Sequence, residues 1–301
     1  IFNHIILQLM RISSQGGIFL NQLLLKEKIK QFLLEDIQHQ DVTSHTIFPV
    51  KEKGTASIYA KEEGILAGAD VIKTTYNILD SEIDVTLFKA DGDLLSKGDQ
   101  IATISGSIRN ILSGERVILN LLQRMSGIAT LTAKSVKSLN NSNIKIVDTR
   151  KTTPGLRMFE KYAVTCGGGF NHRFGLYDMV MIKDNHIAFA GSIEIAVSLV
   201  REKLGPSVKI EVETESIREV KEAVEQNVDI IMFDNRTPAE INDMIQFVPN
   251  HILTEASGGI TLETIHEYRN TNVDFISLGF LTHSVAALDI SLTIEGGFYH
   301  G

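Results

Sequence analysis

VKIEVETESIREVKEAVEQNVDIIMFDN, residues 208–235, carries the pattern from which the fold follows. An apolar, β-branched run (208–214) ends in acids, and Ser216 with Glu219 then forms a capping box ahead of IREVKEAVEQN. A second apolar run, 229–235, ends in Asp234-Asn235. The sequence reads as strand, helix, strand, and a helical crossover joins parallel strands.

Working outward, the same unit recurs. Strand candidates fall at 144–149, 179–185, 208–214, 229–235, 251–257 and 274–279, with starts 35, 29, 21, 22 and 23 residues apart. Thr237, Pro238 and Glu240 open another capped helix, and Ile193, Ala196, Val197, Val200 and Leu204 share one helical face before Gly205. Near-continuous apolar strands alternating with helices predict a parallel sheet covered by helices. Six clear strands, with one or two more in the weakly patterned parts, favour an α/β barrel of about six to eight strands over an open sheet.

The preceding residues have a different texture. A Leu-rich amphipathic helix (Leu23 to Leu34) leads to short strands at 55–60 and 83–89, turns at Asp91-Gly92 and Lys97-Gly98-Asp99, and a strand at 100–105. Residues 113–139 read as helix. The expected organisation is an extension over 1–20 outside the fold, a small α+β sandwich domain with its connecting helix over 21–127, and the barrel over 128–301. The last residues are expected to pack back on the amino-terminal domain. The run Ile5–Ile12 is broken by Gln8 and Arg11 and lacks a basic start, so it does not read as a signal peptide.

The composition, 43% hydrophobic and 22% charged, is that of a globular chain. No stretch approaches the roughly 18 uninterrupted apolar residues of a membrane span. A net charge of −8 disfavours nucleic acid and anionic membranes as partners. The single cysteine, Cys166, reads as a small filler and suits a reducing, cytoplasmic compartment. Between Lys145 and His186, however, seven Lys or Arg stand against four acids, giving +3 where the remainder carries −11. Such an island is either a solvated patch or the seat of a small, highly anionic ligand.

In a parallel barrel, chemistry collects at the C-terminal strand ends. Those positions hold Asp148-Thr149-Arg150-Lys151, Lys183-Asp184-Asn185-His186, Glu211 and Glu213, Asp234-Asn235-Arg236, Glu255 to Gly259, and Gly279. Any one is an ordinary polar cap; ionisable ends on five strands with both signs are not. Arg150, His172 and Arg173 suit carboxylates, while Lys151 and Lys183 suit phosphate oxygens. Lys183 also reads as a Schiff-base lysine or as a buried partner of an acid. Glu211 and Glu213 share one strand face, and Glu213 with Asp234 makes a carboxylate pair of the kind that holds Mg²⁺. Glu211 reads equally as the neutralising partner of a lysine. Ser257-Gly258-Gly259 can offer bare backbone N–H groups to a phosphate, and Gly167-Gly168-Gly169 points to a tight backbone approach.

These residues sit in segments that resemble the nicotinate-nucleotide pyrophosphorylase (carboxylating), or quinolinate phosphoribosyltransferase, family. The carrying segments are GERVILNLLQRMSGIAT (114–130), DTRKTTPGLR (148–157), GGGFNHRFGLYDMVMIKDNH (167–186), EVET (211–214), IMFDN (231–235), EASGGI (255–260) and SLGFLTHS (277–284). Residues 33–44 match more weakly, with Gln38 and Gln40 where glycines are usual. The resemblance implies quinolinate and phosphoribosyl pyrophosphate as substrates, and an amino-terminal sandwich joined to a carboxy-terminal barrel. It implies Mg²⁺, replaceable by Mn²⁺, and homodimers or larger assemblies with shared active sites. It places Arg116 in the partner subunit's site and Arg150, His172 and Arg173 around quinolinate. Lys151 and Lys183 fall at the phosphates or the reacting centre. Glu213 and Asp234 fall at the metal and the ribose, with Ser257, Gly258, Gly259 and Gly279 as the phosphate cradle. The rivals are a relative acting on another aromatic acid, an aldolase using Lys183, and a non-catalytic anion-binding barrel.

Overall fold

The structure is a computed structural model and describes residues 20–295. The chain forms two compact units: residues 20–133, 158–168 and 284–295 make the first, and 134–157 with 169–283 the second. The expected extension lies, apart from Leu20, outside the described residues; Leu20 is buried.

In the first unit, helix α1 (Gln22–Ile37) is capped by Asn21, whose side chain accepts from the Leu23 and Leu24 amides, and it buries Leu25, Ile29 and Leu33 at four-residue spacing. The short α2 (Val42–Ile47) follows. Strands β1 (Lys53–Ala60), β3 (Asp84–Leu87), β5 (Gln100–Ser107) and β12 (Ile290–Glu295) form an antiparallel sheet in the order β12-β1-β5-β3. A two-stranded ribbon pairs β2 (Gly64–Ile65) with β4 (Leu94–Leu95). Ile58, Ile101 and Ile104 from the sheet meet Ile72 and Tyr76 of α3 (Ala69–Leu79) and Ile118 and Leu122 of α4 (Ile108–Leu139) in one core. Gly127 lies within α4, which runs unbroken through it.

Helix α5 (Arg157–Cys166) belongs to this unit from Met158 onward. It buries Phe159 and pairs Glu160 with Arg124 at 2.6 Å. A Cβ on Gly167 would fall 2.3 Å from the Ala129 carbonyl oxygen, so the expected tight approach is that of this backbone on helix α4. Burial pushes the Cys166 thiol pKa up.

The second unit holds all six expected parallel strands: β6 (Lys145–Val147), β7 (Val180–Ile182), β8 (Ile210–Thr214), β9 (Ile230–Asp234), β10 (Leu253–Ser257) and β11 (Phe275–Ser277). Their order is β6-β11-β10-β9-β8-β7, all parallel, and a bridge from Val147 to Phe170 extends the β6 edge. The intervening helices are α6 (Asp184–Ala190), α7 (Ile193–Lys203), α8 (Ile217–Glu225) and α9 (Pro238–Ile245). Strand β7 stops at Ile182 because Lys183 is already the N-cap of α6. After β10 comes a 3₁₀ segment starting at Ile265, preceded by a turn in which the Thr264 hydroxyl takes the Thr261 N–H. A last short helix, α10 (Phe280–His283), follows β11.

This sheet is curled. On a flat sheet β6 and β8 would be separated by four strand spacings, about 19 Å. Yet His172, two residues beyond the bridge on β6, has its ring within ion-pair distance of Glu211 on β8 and Glu255 on β10. Only a sheet wrapping toward closure brings those faces together, as an α/β barrel does.

Candidate active site

Three strand ends place the first group. Lys183 follows β7, Glu213 lies on β8 and Asp234 ends β9; Glu213 stands opposite Met232, two residues before Asp234. Lys183 Nζ donates to Glu213 Oε2, so of its three readings the one the geometry displays is pairing with an acid. Burial, together with repulsion from Glu213 and Glu215, raises the Asp234 pKa against the opposing pull of Lys183. Asn235 holds the carboxylate from the other side, its Nδ2 donating to Asp234 Oδ2 at 2.6 Å.

Beside them lies the glycine turn. Ser257 ends β10 paired with Asp234, and its carbonyl accepts the Asn235 N–H at 2.8 Å. Gly258 and Gly259 follow with φ of 85° and 68°, left-handed values that suit glycine. The Ser277 hydroxyl donates to the Ser257 hydroxyl at 2.8 Å, tying the β10 and β11 ends together. Gly279, just past β11, adjoins Lys151: a Cβ there would fall 3.1 Å from Lys151 Cδ. Lys151 is exposed at its side chain but fixed at its backbone, with the Thr282 hydroxyl on its carbonyl (2.8 Å) and its N–H on Thr149 Oγ1 (3.0 Å).

The third group is deeper. Burial, and after it the charge of nearby Arg150, lowers the Arg173 pKa. Arg150 Nε is buried without a hydrogen-bond partner. Arg173 Nη1 donates to the Met179 carbonyl at 3.0 Å and Nη2 faces Met181 Sδ at 3.6 Å. His172 does not extend beside them. Its Nε2 lies 3.1 Å from Glu211 Oε2 and 3.3 Å from Glu255 Oε2, and its Nδ1 accepts the Arg173 backbone N–H at 2.7 Å. The acid at Glu211 therefore meets a histidine, not a lysine. Asp148, fully buried, completes the setting: Oδ1 accepts the His172 N–H (2.9 Å) and Oδ2 the Asn171 amide (2.5 Å).

The protonation of this cluster follows from its geometry. Burial and the neighbouring Glu255 charge push the Glu211 pKa up. Burial lowers the His172 pKa, but the hydrogen bonds and charges of Glu211 and Glu255 outweigh it and push it up to about 10; a second ring proton would nonetheless turn Nδ1–H against the Arg173 N–H. The Nδ1 contact decides the tautomer: the ring proton sits on Nε2, between the two acids. His172, Glu211 and Glu255 offer ligand atoms within 4.8 Å of one another, a set of metal-binding type. A protonated Nε2, however, has no lone pair for a metal. Glu213 and Asp234, two carboxylates that repel each other, form the better hard-oxygen pair.

Arg116 lies on α4 in the first unit, exposed and without an ion pair among the described residues. Sequence reasoning named Glu255 only as a strand end and passed over Asn171 and Thr282. Glu255 alternates with Ser257 along β10, and that period-two spacing was the available signal. No helix of the described residues is long and apolar enough to cross a membrane.

Comparison with known proteins places this arrangement. Residues 41–126 match the family profile described as quinolinate phosphoribosyl transferase, N-terminal domain, and residues 128–293 match its C-terminal domain. A probable nicotinate-nucleotide pyrophosphorylase [carboxylating] of Bacillus subtilis is 53% identical over 275 residues, 91% of this chain and 95% of that protein. The chloroplastic nicotinate-nucleotide pyrophosphorylase [carboxylating] of Arabidopsis thaliana is 44% identical over 290 residues, covering 90% of this chain and 83% of the relative. The crystal structure of NadC from Streptococcus pyogenes superposes with a TM-score of 0.89 at 41% identity, over 93% of this chain and all of that one. Matched along both of its domains, the chain belongs to the quinolinate phosphoribosyl transferase family.

Proposed function

We propose that this protein is a quinolinate phosphoribosyltransferase (decarboxylating), converting quinolinate and phosphoribosyl pyrophosphate to nicotinate mononucleotide, pyrophosphate and CO₂ in NAD biosynthesis. The observation that carries the reading is the meeting, at the strand ends of one barrel, of Arg150, Arg173, Lys151 and Lys183 with Glu213 and Asp234 beside Ser257-Gly258-Gly259. A dicarboxylate and a polyphosphate both need cations. The developing positive charge on the ribose needs acids close by.

The roles follow from donor type. Arg150, with its unpartnered Nε, and Arg173 take the two carboxylates of quinolinate, with the His172 ring fixed behind Arg173. Lys151, the turn amides of Gly258 and Gly259, the Ser257 hydroxyl and the open face of Gly279 take the phosphates. Lys183, just past β7, bonds to Glu213 and holds that carboxylate in place. The pyridine nitrogen's lone pair forms the bond to ribose C1 as the C1–O bond breaks and pyrophosphate leaves. Glu213 and Asp234 stabilise the positive charge that develops on the ribose carbon as the one bond breaks and the other forms. The ring nitrogen is then cationic, the bond to the adjacent carboxylate breaks, its electron pair enters the ring, and a proton replaces CO₂. Positioning and electrostatics carry this chemistry, with no protein nucleophile. Lys183 is engaged as a donor to Glu213, which argues against its use as a Schiff-base amine.

Glu213 and Asp234 are the residues to hold Mg²⁺, or Mn²⁺ in its stead, directly or through water. Bound there, the ion would neutralise charge on the departing pyrophosphate. Arg116, exposed on α4, is assigned to the dicarboxylate site of a partner subunit in a homodimer. A cytoplasmic setting agrees with a single, half-buried cysteine. The direct test is quinolinate-dependent release of CO₂ and pyrophosphate in equal amounts; the absence of either sinks the reading.

A further inference from the structure

Two buried acids lie beneath a cationic site where acids weaken anion binding, and they call for a reason. Glu211 is fully buried and, among the described residues, its carboxylate faces no polar group but the His172 ring at Oε2, leaving Oε1 without a hydrogen-bond partner; Glu255 Oε1 is in the same state. Two such groups are costly unless something else depends on them. Both flank one atom, Nε2 of His172. The opposite nitrogen of that ring receives the backbone N–H of Arg173, and the Arg173 guanidinium is anchored on the Met179 carbonyl. The chain of contacts therefore runs from the barrel interior through the ring to the cation that faces the substrate.

We propose that Glu211 and Glu255 are positioning residues for substrate recognition: by accepting at Nε2 they fix the His172 ring in the orientation in which Nδ1 clamps the Arg173 backbone. His172 is then a keystone for Arg173 and not itself a donor to the dicarboxylate. An imidazole has one proton to place when neutral, and its tautomer is set by what each nitrogen faces. A carboxylate pair at Nε2 and an N–H at Nδ1 select the same tautomer from both sides. Loss of an acceptor frees the ring to rotate or to change tautomer, and either puts an N–H against the Arg173 amide. The same selection keeps divalent metals off the three side chains.

The proposal rests on Arg173 holding quinolinate, so its test separates the two ideas. In wild-type enzyme, long-range ¹⁵N–¹H correlation of the His172 ring is expected to show a proton on Nε2 and none on Nδ1. Glu255→Leu, which removes the acceptor, is expected to raise KM for quinolinate at least tenfold, with KM for phosphoribosyl pyrophosphate changed less than threefold. Glu255→Gln keeps an oxygen acceptor and should recover most of that loss. Combined with Arg173→Lys, Glu255→Leu should add nothing, because both act on the same contact. Several results would overturn the proposal. They are an Nδ1 proton in the wild type, equal effects on both substrates, full additivity with Arg173→Lys, or one equivalent of bound divalent metal lost in His172→Gln. If Glu255→Leu fails to fold, the wild-type ring spectrum and the Glu255→Gln kinetics still decide. A wild-type enzyme that ignores quinolinate, yet shows the Nε2 tautomer, refutes the substrate assignment and leaves the ring clamp intact.

Discussion

Alanine at Gly258 and at Gly259 separates two costs that a phosphate turn usually mixes. Both residues sit in the left-handed region, at φ of 85° and 68°, where a side chain costs roughly 1–2 kcal/mol. Their surroundings differ. A Cβ on Gly259 meets only Asn235 Oδ1, at 4.0 Å, whereas one on Gly258 falls 2.3 Å from Asn235 Oδ1 and 2.9 Å from the Asn235 backbone nitrogen. The side-chain oxygen can swing away; the backbone nitrogen is tied to the Ser257 carbonyl and cannot. Overpacking of that kind adds about 1–3 kcal/mol. Gly258→Ala is thus expected to lose about 2–5 kcal/mol and Gly259→Ala about 1–2, summing the same two terms. Urea unfolding of ligand-free protein, followed by far-ultraviolet circular dichroism, reads the difference as a shift in midpoint at unchanged slope. Swinging Asn235 away also removes its grip on Asp234, so Gly258→Ala alone should lower kcat beyond its effect on KM for phosphoribosyl pyrophosphate. Equal destabilisation by the two variants, or a larger loss at Gly259, would show that the Asn235 contact is not what forbids a side chain.

Three further outcomes are expected. Excess chelator should abolish turnover, and Glu213→Ala or Asp234→Ala should lower kcat more than quinolinate affinity; full activity in chelator refutes the metal assignment. Nicotinate lacks the second carboxylate that Arg150 and Arg173 together can hold, so kcat/KM should fall by about 10- to 150-fold, the worth of one charge-assisted contact at roughly 1.5–3 kcal/mol; equal rates refute that assignment. Arg116→Ala and Lys183→Ala should each be nearly inactive alone, and their mixture after subunit exchange should regain about one quarter of wild-type activity, because random pairing gives half the dimers one intact site of two. Verified exchange without recovery would show that Arg116 acts within its own chain.

The barrel was legible because its strands announce themselves locally. Residues 208–214 and 229–235 are apolar runs bounded by acids and capped helices, and both form strands nearly where they were placed. Thr237 and Glu240 cap reciprocally as their spacing implies. Ser216 caps α8 as expected, but Glu219 takes the N–H of Glu215 in place of that of Ser216, a choice set by the path of the preceding loop. The site was legible as a set of residue types at strand ends. Its internal arrangement was not. His172, Glu211 and Glu255 come from three distant segments, and only curling of the sheet makes them neighbours. The direction of the His172 ring depends on the Arg173 amide and on two acids together, none of which leaves a mark in local spacing.

The pairing of β12 with β1 bears on how the chain is made. Ile58 of β1 stands opposite Leu292, and Ala60 opposite Ile290. About 230 residues of chain separate the two partners, so at a ribosomal rate of ~5–20 residues per second β1 waits roughly 10–50 s for β12. Throughout that interval one side of β1 presents unsatisfied amides and carbonyls, and the nascent chain carries a strand edge open to other strands. The second unit, whose strands all lie between residues 145 and 277, has emerged before the first can close. Ribosome-bound chains halted before Ile290 should therefore hold protease-resistant barrel and protease-sensitive sheet, and should be the form that chaperones capture. Loss of the β12 strand, Ile290–Glu295, leaves every proposed catalytic side chain in place and still strands the protein in that state.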